Sequence, residues 1–508
     1  FTSEDFRYWW EDVVGNRQIS PSGPPQVLLA DGRPPQVTFP DAHTVRFEWD
    51  RPNPYFLPAL AGAAPLYIYR PAHYMRQFHQ KYADRAKLEE RVRTERMRNW
   101  AQLHNRLDNM YRNDNPDLPT LEPWILQTRP PAERFVFVRN PFFHRVDANG
   151  LQLPYVDRVT MAISDAKLIP LKVNAGEADL QARGLAFNNY TFLRQASKQG
   201  AFDVRLWNTA KGAQLALYPN LNAEDPVWRQ LNRDPRFRRA LSLAVNRREI
   251  NQVVFFGLAL EGHNTALPGS AFHDPAQRAA RFDLAEANRL LDEIGLTRPS
   301  RRGLRRLPDG RPLEIIVETA GEDTEQTDVL QLIHDSWLEA GIKLFIKPSQ
   351  REYFRNRVFA GKSVMTIWGG VENGLNSPAT SPEEFVPVSQ QHLQWPRWGQ
   401  YVETGGRSGE AIDDRAAREL LALNDVWRNA IGDDARAAAW RRILAIHAEQ
   451  VFSIGLVANV PQPVVVSSRL RNVPRTGIYN WDPGAFFGIY RPDSFWFAEP
   501  QRAAAAKP

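Results

Sequence analysis

The sequence predicts an α/β fold, and three observations carry that expectation. Residues 313–318, 324–340 and 342–346 read as strand, helix and strand, a βαβ unit that implies a parallel pair and a right-handed crossover. Strand and helix patterns alternate between residues 155 and 220. A capping box, Asp283 with Glu286, opens a helix whose apolar face is Leu290, Leu291 and Ile294 and whose stop is Gly295.

The elements follow in order. Thr2 or Ser3 with nearby carboxylates starts a helix that carries Phe6, Tyr8, Trp9, Trp10, Val13 and Val14. Prolines punctuate residues 20–40. Val45, Phe47 and Trp49 alternate with Arg46 and Glu48, the period of a half-buried strand. Residues 85–111 are predicted as one amphipathic helix with Trp100, Leu103, Leu107, Met110 and Tyr111 on its apolar side. Strands are predicted around Phe135–Val138, 156–163, 204–207 and 214–218, and a helix over 166–176. Residues 235–256 read as one strong helix with Phe237, Leu241, Ala244, Val245 and Val253 buried. Residues 364–368 form a short apolar strand, 370–408 a long loop, 411–430 and 433–449 two helices, and 451–466 a strand.

Composition narrows the function. The 508 residues carry 64 Lys plus Arg against 58 Asp plus Glu, a net charge of +6, with both signs interleaved. Such a balance does not make a phosphate track, and the densest cluster, Arg298–Arg306 with Arg301, Arg302 and Arg305, reads as a solvated loop. Cysteine is absent, which excludes disulfides, thiolate metal sites and cysteine nucleophiles. No apolar run is long enough to span a membrane. Gly361-Lys362-Ser363 lacks the first glycine of a phosphate loop, since position 356 is Asn. The ten histidines form no metal spacing, and the Asp413-Asp414 and Asp433-Asp434 pairs stand at helix starts, where the dipole explains them. No catalytic residues, metal site or cofactor are expected.

One stretch goes further. Arg233-Asp234-Pro235-Arg236-Phe237-Arg238-Arg239-Ala240-Leu241, continuing through Ala244-Val245-Asn246-Arg247 to Gly257-Leu258-Ala259, resembles the large solute-binding proteins of ABC importers, the oligopeptide- and dipeptide-binding family. Phe1-Thr2-Ser3-Glu4-Asp5, Phe282–Ala287 with Leu290–Gly295, Leu338–Ile342 and Tyr479–Pro483 match that family in the same order. The resemblance implies a two-lobed periplasmic-binding-protein-like fold with a hinge and an extra inserted domain. By that analogy residues 1–150 are mainly the extra domain, 151–264 the first lobe, 265–470 the second lobe, and 471–508 a return to the first. It also implies about a hundred residues ahead of Phe1, including an export signal, so the chain is expected to be N-terminally incomplete and periplasmic or otherwise extracytoplasmic. The expected partners are a small solute and a membrane ABC permease, with no nucleic acid, and the protein is expected to be a monomer.

In peptide-binding members of that family a second-lobe Trp is followed by an Asp that holds the peptide's amino group. Here the match is Trp368, with the Asp position falling near Val371 and Glu372 one residue on. Nearby, Asn373 and Asn376, then Trp395, Trp398 and Tyr401, combine flat rings with amides, a chemistry that suits sugar rings as well as peptides. The same rings would equally serve as core plugs. The expected ligand set is therefore Trp368, Glu372, Asn373, Asn376, Trp395, Trp398 and Tyr401. The expected ligand is a peptide-like solute, with an oligosaccharide such as an α-galactoside as the alternative. A glycoside hydrolase acting through two facing carboxylates is the rival from another class.

Overall fold

The computed structural model describes residues 1–63, 66–112, 114–300, 303–321 and 324–499. The chain divides into two units: Phe1–Asp165 with Ser468–Pro474 and the segment from Phe487, and Ala166–Ser467 with Arg475–Phe486.

In the first unit, Thr2, one of the two helix starts the sequence offers, caps the helix Ser3–Arg7 in a reciprocal arrangement with Asp5. Tyr8, Trp9 and Val13 then pack beside Leu103 and Leu107 in a helical core. The buried His104 meets the Tyr8 hydroxyl at 2.6 Å, a satisfied core histidine. The long helix predicted for 85–111 is two, Arg85–Thr94 and Trp100–Leu107. Arg96 takes φ +55 between them, and Asn99 caps the second by accepting from Gln102 N. Strands Trp124–Leu126, Arg134–Arg139 and Arg158–Ala162 form an antiparallel sheet, and Gln36–Asp41 pairs with Thr44–Glu48.

The second unit holds a mixed five-stranded sheet in the order Lys343–Pro348, Glu314–Thr319, Met365–Trp368, Ala216–Pro219, Ile454–Gly455. The first three are parallel, as the βαβ reading requires, and Ala216–Pro219 is antiparallel to its neighbours on both sides. A separate sheet joins Leu180–Gln181, Pro461–Ser467 and Phe202–Asn208. Segments 209–215 and 456–460 run between the two sheets. Strands from both sides of residue 264 share the five-stranded sheet, because Ala216–Pro219 bonds along the whole length of Met365–Trp368.

Helix Glu325–Glu339 buries Val329, Ile333 and Trp337 on Leu241, Ile315 and Val317. The helix predicted for 235–256 is interrupted. Pro226–Arg233, Pro235–Leu243 and Arg247–Phe255 are separate helices, each capped by its own side chain, Asp225, Asp234 and Asn246. The last turn faces outward, so Val253 is exposed where burial was expected. The strand predicted for 451–466 is broken into Ile454–Gly455, Val457–Ala458 and Pro461–Ser467, with Val451 and Asn459 at positive φ. The long loop 370–408 contains a helix, Pro396–Glu403.

Three arginines of this unit are structural. Arg238 donates to Gln450 O at 2.9 Å, and Arg247 donates to Gly455 O at 2.8 Å and Ser242 O at 2.9 Å. Burial lowers these guanidiniums to about 10 and about 9. Arg305 is buried, donating to Ala340 O at 2.9 Å and Asn288 Oδ1 at 2.7 Å, so that part of the 298–306 cluster is not a solvated loop. Arg301 and Arg302 lie outside the described residues.

Trp337 is wholly buried and its indole donates to Leu241 O at 3.1 Å. Trp337→Ala removes the ring and strands that carbonyl, and is expected to lose about 3–5 kcal/mol of stability, read from urea unfolding followed by circular dichroism.

Candidate solute site at the carboxyl edge of the sheet

From strand Glu314–Thr319 the chain crosses to Lys343–Pro348 on one side, then returns past it to Met365–Trp368 on the other. The strand order therefore reverses between Glu314–Thr319 and Met365–Trp368. Open α/β sheets bind ligands in the crevice outside the carboxyl ends at such a reversal. Trp368 ends its strand at this point.

The Trp368 ring is half-buried, stacks on Phe354 at 5.9 Å between centroids, and carries the Arg351 guanidinium 5.2 Å from its centre. Phe354 and Arg351 lie on the helix Arg351–Phe359. On the adjoining strand, Tyr218 donates to Gly369 O at 2.6 Å. Gln214 donates to Glu325 Oε1 at 3.1 Å, bringing the start of helix Glu325–Glu339 to the same edge.

Residues 369–376 leave this edge as a pinned loop. Gly212 N donates to Val371 O at 2.8 Å, Gly370 N to Ala213 O at 2.9 Å, and Gly374 N to Ala210 O at 2.6 Å. Asn264 Oδ1 accepts from Val371 N at 2.9 Å. The two segments approach so closely that a Cβ on Gly370 would lie 2.4 Å from Asn264 Oδ1 and 2.6 Å from Ala213 N. One on Gly212 would lie 2.4 Å from Val371 Cγ2.

Two carboxylates fix the loop further. Glu384 accepts from Glu372 N at 2.9 Å and Asn373 N at 3.3 Å. Burial pushes its carboxyl up to about 7; the two N–H donors oppose this, and the charges of Glu372 and Asp482 add to it. Glu372 accepts from Trp481 N at 3.1 Å through Oε1, and its Oε2 lies 3.9 Å from Lys211 Nζ. Its backbone oxygen accepts from Asn480 Nδ2.

The seven residues singled out in the sequence separate into two groups. Trp368 and Glu372 meet at the carboxyl edge with partly exposed side chains. Tyr401 is partly exposed on the helix Pro396–Glu403. The other four are committed to structure in this arrangement. Trp395 and Trp398 have no exposed surface. Trp395 packs on Phe452 at 4.9 Å and on His447, whose imidazole burial lowers to about 4, and Arg233 covers the Trp398 ring. Asn373 accepts from Leu375 N at 2.8 Å, and Asn376 donates to Asn373 O at 2.7 Å, both buried. Lys211, Gln214, Glu325, Arg351 and Glu384 were not signalled in the sequence. The sequence signal that could have pointed to two backbones meeting here is the set of glycines at 212, 369 and 370.

A family model described as bacterial extracellular solute-binding proteins, family 5 Middle, matches residues 1–390. The chain is 22% identical over 509 residues to a periplasmic alpha-galactoside-binding protein of Rhizobium meliloti, covering 95% of this chain and 68% of that one. Among solved structures, the oligopeptide-binding protein OppA is 30% identical, with a TM-score of 0.65 over 98% of this chain and 80% of that one. The periplasmic binding protein MelB from Agrobacterium fabrum, solved with stachyose, is 20% identical, with a TM-score of 0.73 over 99% and 73%. The architecture is that of two-lobed periplasmic binding proteins.

Two outcomes test this geometry. Gly370→Ala forces backbone apart, and about 2–4 kcal/mol of stability should be lost in urea unfolding. A Glu384 carboxyl at about 7 holds its proton more tightly folded than unfolded, near 4.5. Its contribution to stability is full below that lower value and is lost as pH rises through about 7. Between about pH 5 and about pH 8 the melting temperature of the wild type should fall relative to Glu384→Gln by about 2–4 °C, read by differential scanning fluorimetry at matched ionic strength.

Proposed function

The chain belongs to the bacterial extracellular solute-binding proteins of family 5, the solute-capturing components of ABC importers, and from that premise we propose that the carboxyl edge of its five-stranded sheet forms part of the site for an oligosaccharide. The observation that carries this reading is the paired carboxylate. Val371, where the resemblance puts the ammonium-holding Asp, is buried and apolar, and the acid next to it, Glu372, already holds a backbone N–H and faces Lys211. Trp368 supplies an aromatic surface against which a sugar ring packs. The relative named for α-galactosides and the stachyose complex support the same class.

The family is extracytoplasmic, and among the described residues no helix is long and apolar enough to cross a membrane. The protein works as a monomer that performs no chemistry, delivering its solute to the permease. Segments 209–215 and 456–460, the links between the two sheets of the second unit, serve as the hinge, which moves the lobe boundaries from 264 and 470 to these links. Solute contacts on both sides of such a hinge shift the population towards a closed form.

A peptide-like solute is the second reading, favoured by the 30% identity to an oligopeptide-binding protein. Isothermal titration calorimetry separates the two. A galactose-containing tetrasaccharide is expected to bind with a Kd of about 1 μM or tighter and to be recovered intact, while tetrapeptides of mixed sequence give no heat of binding. Trp368→Ala is expected to weaken the sugar by about tenfold or more. Tight binding of the peptides alone reverses the assignment.

A further inference from the structure

We propose that Lys211 is a built-in counter-ion for Glu372, and that it makes this edge select uncharged, hydroxyl-rich solutes over solutes carrying an ammonium group. The proposal rests on the solute-binding reading above and adds the residue that sets the class.

Three features carry it. First, the pair is placed by backbone. Lys211 precedes Gly212, whose N–H is bonded to Val371 O at 2.8 Å and whose carbonyl accepts from the buried Arg278 at 3.2 Å. Glu372 follows Val371 directly, and Glu384 holds its backbone N–H. Neither member can drift from the other without breaking the crossing. Second, the pair lies within reach of a solute, because Lys211 keeps 30% of its side chain exposed and Glu372 26%. Third, both oxygens of Glu372 are addressed, one by Trp481 N and one by Lys211 Nζ. At 3.9 Å the ammonium is a counter-charge and not a hydrogen-bond donor to the acid, so the acid does not take up its N–H groups. Hydroxyl and ring oxygens supply acceptors for them.

A second cation brought to Glu372 would meet Lys211 on one side and Arg351, seated over Trp368, along the same edge. The site thus discriminates by repulsion as well as by contact. Lys211 also passes beside Gly369, where an added Cβ would sit 3.4 Å from Nζ, so its path depends on that residue being small.

The test uses one tetrasaccharide and one tetrapeptide prepared with a free and with an acetylated amino terminus, titrated calorimetrically into the wild type, Lys211→Met, Lys211→Arg and Lys211→Met/Glu372→Gln. The wild type is expected to bind the sugar and to bind the free-amine peptide no better than the acetylated one. Lys211→Met leaves Glu372 unpaired and should prefer the free amine by about tenfold or more, a preference lost in the double variant. Lys211→Arg, which keeps the charge, should behave as the wild type and shows that the site still folds. A wild type that binds the sugar while Lys211→Met gains no preference for the amine overturns the counter-ion assignment and leaves the solute reading intact. A wild type that already prefers the free amine overturns the assignment too. A wild type that binds neither sugar nor peptide overturns both.

Discussion

The close crossing of residues 210–213 with 369–374 is the constraint on which the rest of the site depends. Two backbones can exchange hydrogen bonds at this separation only if the intervening positions lack side chains, and Gly212 and Gly370 meet that demand. Asn264 closes the crossing from a third segment, accepting from Val371 N while its own amide reaches Ser453 Oγ at 3.1 Å. Everything beyond the crossing inherits its position. The placing of Glu372, its neighbour Lys211 and the emergence of Trp368 from the sheet are consequences of where the backbone is forced to run.

The excess of basic residues has a structural explanation. Arg238, Arg247, Arg278 and Arg305 are almost wholly buried, and each donates to backbone carbonyls of neighbouring segments. Guanidinium suits this work because its planar fork reaches several carbonyls at once. Burial lowers the first three below the usual arginine range, and the multiple acceptors compensate for the lost water. Two arginines of the most recognisable sequence stretch, Arg238 and Arg247, thus serve fold assembly. Conversely, several surface arginines pair with nearby acids, as Arg289 does with Glu286 and Glu293.

Aromatic residues divide by the same logic. Trp337, Trp395, Trp398 and Trp440 are sealed in the interior, whereas Trp368 stands at the end of a strand with partial exposure. Its ring stacks on Phe354 and carries the Arg351 guanidinium, and the partial exposure left at the strand end is the surface a solute can reach. Rings in helices under a loop are covered by it.

Local chemistry was enough to write much of the fold. The βαβ unit, the Thr2 and Asp283 caps and the short strand ending at Trp368 depend on periodicity and caps within a few residues, and they stand where expected. Helices 85–111 and 235–256 came out divided, because Arg96 and Asn246 interrupt a pattern that apolar spacing alone runs straight through. Of the candidate site, Trp368 and Glu372 were visible through resemblance. Lys211, Asn264 and Glu384 were not, since each acts on residues more than ten positions away. Whether a given Trp or Asn faces solvent or core also escaped the sequence, because amphipathic residues satisfy both settings. Only the packing of distant segments, made possible by missing Cβ atoms, decides which side chains reach water and which carboxylate already has its cation.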